Sequence, residues 1–179
     1  MALLEELKTL NEVLRMDERH HLLGQVIDGV PTLERLHFIV SEIRMHDGVP
    51  QAVREQFNIA RNMALYTYFM MTLAPEVQFK TFRIIEQALR IRANASARDS
   101  LKSILDRAET EGWLADSGFR HIASPSLENV YCIRLFESLR RLRNNFAHGG
   151  ATLTPDSAIY LSVCADFVNQ LFAPYSKTW

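Results

Sequence analysis

Leu161, Cys164, Val168 and Leu171 stand three, four and three residues apart. A helix with 3.6 residues per turn gathers such a set on one stripe, whereas a strand would split it between two faces. The interval recurs at Leu33, Leu36, Val40 and Ile43, and again at Leu135, Leu139, Leu142 and Phe146. No β-branched run alternates with period two, and only 6 prolines and 7 glycines are present to interrupt a helix. The spacing therefore predicts an all-α fold. At 179 residues the chain is long enough for one domain with a sizeable core.

Residues 2–16 read as a short amphipathic helix, and residues 17–30 as its continuation into a second. A third opens at Pro31, a favoured first-turn residue, and ends at Asp47-Gly48. Residues 50–73 form a longer and more apolar helix, which Pro75 breaks while opening the next, over 75–95. Ser100 starts a helix that stops near Gly112. A polar loop then leads through Ser124-Pro125-Ser126 into an arginine-rich helix over roughly 127–147. Thr154-Pro155-Asp156 combines a cap, a first-turn proline and an acid that complements the helix dipole, so the last helix begins there and ends before Pro174. The weakest boundary, near residues 47–50, separates a helical extension (1–49) from a bundle (50–179).

A net charge of -1 argues against a surface coated in nucleic-acid-binding charge, yet a local basic cluster remains compatible with it. The two cysteines, Cys132 and Cys164, fall at apolar helical positions and read as buried reduced thiols. No secretory leader pattern and no apolar run of membrane-spanning length is found, which predicts a cytoplasmic protein without membrane contact. Asn94-Ala-Ser matches a glycosylation sequon but carries nothing without such a leader. His20 and His21 are adjacent, point different ways on a helix and read as solvated. His37 and His46 lack a third ligand, so no metal and no cofactor is expected. There is neither a Gly-rich phosphate loop nor a serine nucleophile motif.

The chemistry concentrates in Leu-Arg-Arg-Leu-Arg-Asn-Asn-Phe-Ala-His-Gly-Gly, residues 139–150. With Leu135, Leu139, Leu142 and Phe146 facing a core, Arg140, Arg141, Asn144 and His148 gather on the opposite side. Arg143 lies five residues before His148, about 140° away on an ideal helix. The two converge if the helix loosens at Gly149-Gly150, or if two copies of the segment meet. A histidine and arginines in a last turn followed by glycine also make an ordinary helix end, and spacing alone leaves both readings open. Glu86 falls on the Phe79, Phe82, Leu89 face of its helix. A buried carboxylate there needs a partner, either an arginine of the 134–143 run or Arg90 four residues on.

Arg143 to His148 fits the RNxxxH form of the motif of the HEPN superfamily, and the surroundings resemble that family too. Residues 79–93 are similar to its long early helix, residues 100–114 to its connecting segment, residues 137–150 to its motif helix, and 155–172 to its final helix. The resemblance covers roughly residues 58–172. It implies an antiparallel helical bundle of HEPN type with extra N-terminal helices, usually a homodimer with facing motifs. It further implies a metal-independent endoribonuclease, a toxin or defence effector that has an antitoxin or nucleotidyltransferase as a possible partner. Carried over position by position, Arg143 matches the motif arginine, Asn144 the polar residue after it and His148 the motif histidine. Arg134, Arg140 and Arg141 would then bind RNA phosphates, and Glu86, which has no secure family counterpart, would support the site. The alternatives are a non-catalytic module of the same shape that binds RNA, nucleotide or a protein partner, and a purely structural helical protein.

Overall fold

The computed structural model describes residues 6–24, 29–147 and 157–173, with side chains for 6–22, 29–141 and 157–173. Among the described residues there are seven α-helices and no strand, an all-α architecture. They are α1 (Arg19–Gly24), α2 (Leu33–Glu42), α3 (Gln51–Tyr66), α4 (Ala74–Ala93), α5 (Leu101–Thr110), α6 (Val130–Ala147) and α7 (Ser157–Leu171). The expected helix start at Thr154-Pro155-Asp156 lies outside the described residues.

Several helix ends differ from the sequence expectation, and each has a local cause. The Thr32 hydroxyl accepts the Arg35 N–H, so α2 begins after Pro31. It stops at Glu42, five residues short of Asp47, where the Arg61 guanidinium from α3 donates to the Val40 and Ser41 carbonyls. Those are carbonyls that a helix end leaves without an internal partner. Helix α3 ends at Tyr66 and not at residue 73: a turn over 67–69 and a 3-10 turn at Met71–Leu73 come before α4. Pro75 then occupies the first turn of α4. Asn94, in the left-handed region at φ 49°, ends that helix, and Ser100 caps α5 as expected.

The helix expected over 2–16 is not formed in its described part. Residues 10–14 make only a hydrogen-bonded turn, with Leu7, Leu10 and Leu14 exposed. A helix this short does not propagate in water without a packed face. The segment after it is firmly held. Asp17 accepts the N–H groups of Met71 (2.7 Å) and Arg19 (3.0 Å), while its own N–H donates to the Tyr68 carbonyl at 2.9 Å. His20, expected in solvent, is buried instead: its Nε2 lies 3.2 Å from the Thr67 carbonyl, and the ring stacks on Tyr68. The cause is tertiary, because Asp17 draws residues 17–20 onto the connection between α3 and α4. His21 is exposed.

Helices α4 and α7 form the central pair, with α3 packed on α4 and α2 reaching both α3 and α7. Leu161, Cys164, Val168 and Leu171 are all buried, as their spacing predicts, and Cys132 and Cys164 are buried free thiols. Val40, Ile43 and Val49 belong to the same cluster as the residues of α3 to α7. Asn169 ties this stretch to α7: its Oδ1 accepts the His46 N–H, and its Nδ2 donates to the Arg44 carbonyl. The His46 ring accepts from the Gly48 N–H at Nδ1 and donates from Nε2 to the Asn169 carbonyl, so neither nitrogen is open to a metal. Asp166 is buried on α7 and takes the Arg120 N–H and Nε at 3.0 and 2.8 Å. These bonds satisfy a carboxylate that would otherwise be costly to bury.

Gln170 accepts the Ala115 N–H and lies against Gly118 so closely that a Cβ there would sit 2.0 Å from its Cδ. Gly118→Ala should therefore lower stability by about 1–3 kcal/mol in urea unfolding, the range for overpacking. Gln170→Ala in the same chain should return part of that loss; strictly additive losses would show that the two residues do not collide.

Candidate functional site on helix α6

Helix α6 carries the arginine run and, in its last turn, the backbone of Arg143 and Asn144. Its start is fixed by a residue far upstream. The hydroxyl of Ser126, in the expected approach, accepts the Glu128 N–H and its carbonyl the Asn129 N–H, both in the preceding turn, and the helix begins at Val130. The capping carboxylate is Asp116, whose two oxygens accept the N–H groups of Tyr131 (3.1 Å) and Cys132 (3.0 Å). Asn129, at φ 52°, returns the contact by accepting the Asp116 N–H at 2.9 Å. A negative charge at the positive end of a helix is stabilising, and here it also satisfies first-turn donors. Burial pushes the Asp116 carboxyl upward, but the N–H groups of Cys132 and Tyr131 outweigh it and hold the group below the usual carboxylate range.

The buried stripe of α6 runs through Cys132, Phe136 and Leu139, with Phe136 edge-on to Phe167 of α7. Leu139 is a core residue as expected, whereas Leu135 is only half-buried and Phe136 takes the central place. In the described part of the helix the stripe keeps Leu139 but is centred on Phe136 and Cys132, which Phe167 and Asp116 contact. The side chains of Leu142 and Phe146 lie outside the described ones.

The arginines divide. Arg134 and Arg141 are exposed, and they are seven residues apart, which places them nearly in line along one face. Arg140 turns toward α5, where it meets Asp106 at 2.6 Å and Glu109 at 3.7 Å. Arg140 and Arg141 therefore do not share a face, contrary to the sequence expectation. The side chains of Arg143 and Asn144, and the whole of His148, lie outside the described residues. Glu86 is three-quarters buried and bound by Arg90, whose Nε and Nη2 lie 3.2 and 3.0 Å from its Oε1. Of the two partners considered for it, the one on its own helix is present.

Cys132 is no nucleophile here, since burial and then the Asp116 carboxylate push its thiol up to about 12. Burial likewise raises Cys164 far above neutrality. Among the described residues no three His, Cys, Asp or Glu side chains converge as metal ligands, and no helix is long and apolar enough to cross a membrane. No protein-family model matches the chain, and no curated protein or solved structure matches it significantly.

Asp116 was not legible as a cap in the sequence, where it is one acid of the polar loop before α6. Its contact order explains why: the residues it caps are 15 and 16 positions away. The folded chain depresses the Asp116 pKa, so its contribution to stability is present above the unfolded value of about 3.9 and is lost as pH falls through the lower folded value. Asp116→Asn should cost about 1–3 kcal/mol at neutral pH, because an amide NH₂ would face a helix donor. Its acid-unfolding profile should be shallower than that of the wild type below about pH 4; an unchanged acid limb would remove Asp116 from that role.

Proposed function

We propose that the chain is a HEPN-type endoribonuclease acting without a metal ion. The observation that carries this reading is the order Arg143-Asn144 followed by His148, at the end of a helix whose Arg134 and Arg141 stand exposed. The all-helical described part, in which α6 and α7 are the last two described helices, is compatible with the bundle that the sequence resemblance implies.

RNA carries its own nucleophile. In the proposed reaction the His148 imidazole takes the proton of a 2′-OH, whose oxygen attacks the adjacent phosphorus. The bond from phosphorus to the 5′-oxygen breaks, and that oxygen takes a proton from a second imidazole. The products are a 2′,3′-cyclic phosphate and a free 5′-OH, with no net change in protons. Imidazole is suited to both transfers near neutral pH. The Arg143 guanidinium would hold the non-bridging oxygens and stabilise the charge that builds on them. Asn144 would orient the imidazole or bind a phosphate oxygen. One histidine per chain supplies one proton carrier, so the mechanism asks for two facing copies of the motif, hence a homodimer. Arg134 and Arg141 would follow the RNA backbone, whose phosphates dominate affinity. Arg140 can join them only by leaving Asp106 and Glu109. A toxin or defence role, with an antitoxin or nucleotidyltransferase as partner, belongs to the same proposal.

The test is cleavage of a structured RNA and a tRNA pool in EDTA. Wild type should leave cyclic-phosphate ends, and His148→Ala should lose about 10²-fold or more of the rate. If neither protein cleaves any substrate, the ribonuclease reading fails and the binding module takes its place. Arg134→Ala with Arg141→Ala should weaken RNA binding and flatten its salt dependence, with the fold unchanged.

A further inference from the structure

Arg44 and Arg120 belong to distant segments, the stretch after α2 and the loop before α6, yet they line one cleft of about 440 Å³ at the end of α7. That volume lies in the range of small-molecule sites. Both guanidinium groups are aimed by their inner nitrogen. Arg44 Nε donates to the Ser41 carbonyl at 2.9 Å, and Arg120 Nε to Asp166 Oδ1 at 2.8 Å. Their backbones are fastened to α7 as well: Asn169 Nδ2 donates to the Arg44 carbonyl, and the Arg120 N–H to Asp166 Oδ2. The outer nitrogens are uncommitted. Among the described residues neither pair of Nη atoms makes a hydrogen bond, and Arg44 Nη2 comes only within 3.9 Å of Glu42. The two side chains are 73% and 53% exposed. Each is therefore a fork held at its base with its tines open.

The rest of the lining suits a negative ligand. Asp166 is the one acid in its described part, and both of its oxygens are taken by Arg120. The carbonyls that end α7 would repel an anion, but they are covered. Val168 accepts the Phe172 N–H, Gln170 the Ala173 N–H, and Asn169 the His46 Nε2–H. Gln170, also in the wall, adds an unanswered donor: its Oε1 accepts the Ala115 N–H, which leaves Nε2 buried without an acceptor. Such a donor is costly until an oxygen reaches it.

We infer that the cleft between Arg44 and Arg120 is a phosphate-binding site, in which the two guanidinium groups hold one phosphate group between them. A carboxylate has two oxygens and fills a single fork, whereas a phosphate has enough oxygens to face two. Glu42 is the competing group, and an exposed contact at its distance is worth little. The phosphate can be free, as the ion or on a mononucleotide, or it can be a diester of an RNA backbone; the chemistry recognised is the same. The site is built without α6 and does not rest on the ribonuclease reading.

The experiment is thermal unfolding of the full chain at fixed ionic strength, in chloride and then with each of three probes. These are inorganic phosphate, adenosine monophosphate, and a short 2′-O-methyl oligouridine without terminal phosphates. The last has no 2′-OH to attack and so stays whole whether or not the chain is a ribonuclease. Phosphate also stabilises proteins by exclusion from their surface. Arg44→Gln keeps that contribution, so the difference between the two proteins reports binding. The variant keeps the end of α2 capped, because Arg61 Nη2 also donates to the Ser41 carbonyl, at 3.2 Å. With a probe at about ten times its Kd, wild type should gain roughly 3–6 °C more than Arg44→Gln. Arg120→Lys, which keeps a charge beside Asp166 but has no fork, should bind about tenfold more weakly. Glu42→Gln should bind more tightly. A gain with phosphate or the mononucleotide that Arg44→Gln loses establishes a free phosphate ligand. A gain with the oligouridine alone, lost in the same variant, establishes the backbone phosphate. Equal gains in wild type and Arg44→Gln, no gain with any probe, or full binding by Arg120→Lys would overturn the proposal.

Discussion

Helix α7 has no face in water along its middle, and that burial organises the other elements. Residues 164–168 are consecutive and all buried, more than a full turn. Such a helix needs cover on every side, and the chain supplies it from distant segments. Helix α4 covers its length, residues 44–46 reach it through Asn169, residues 115–120 through Asp166 and Gln170, and α6 through the contact of Phe136 with Phe167. Asp166 is the strictest demand, because a carboxylate in that position requires donors, and Arg120 provides two. The loop before α6 is therefore fixed by the central helix before α6 begins.

This order of dependence carries to the candidate site. Helix α6 is fastened at its first turn by Asp116 and Asn129, and farther along by Phe136 and by Arg140 against α5. Arg143 follows Arg140 by three residues and stands roughly 20 Å along the axis from the first turn. The backbone of Arg143 is therefore positioned from both directions, by Asp116 at the first turn of α6 and by Arg140 near its last. Trp113 adds stiffness on the side of α5: the guanidinium groups of Arg92 and Arg107 flank its ring at 5.5 and 5.4 Å, while Nε1 donates to Glu111. That packing holds α5, and α5 supplies Asp106 and Glu109 to α6.

The apolar period of α2, α4, α5 and α7 is a local property, and the helical class was legible from it. So were caps made by a neighbour, such as Thr32 and Ser100. Helix ends set by a distant side chain were not: nothing near residue 42 announces Arg61, and nothing near Val130 announces Asp116. His20 shows the same limit, since its burial follows from Asp17 gripping a connection fifty residues away. At the candidate site the residue types and their order could be read directly, and Arg90 was among the partners foreseen for Glu86. The turn of Arg140 toward α5 could not, because it depends on acids from another helix.

The two thiols lie at different depths in this hierarchy, Cys132 in the first turn of α6 and Cys164 inside α7. Neither reacts while covered, since each is both shielded and held protonated. A thiol reagent added to the native protein consequently meets two clocks. Modification of Cys132 times the lifting of one helix from its anchor, and modification of Cys164 times the opening of the whole bundle. The separation between the two rates measures how far α6 moves as a unit of its own.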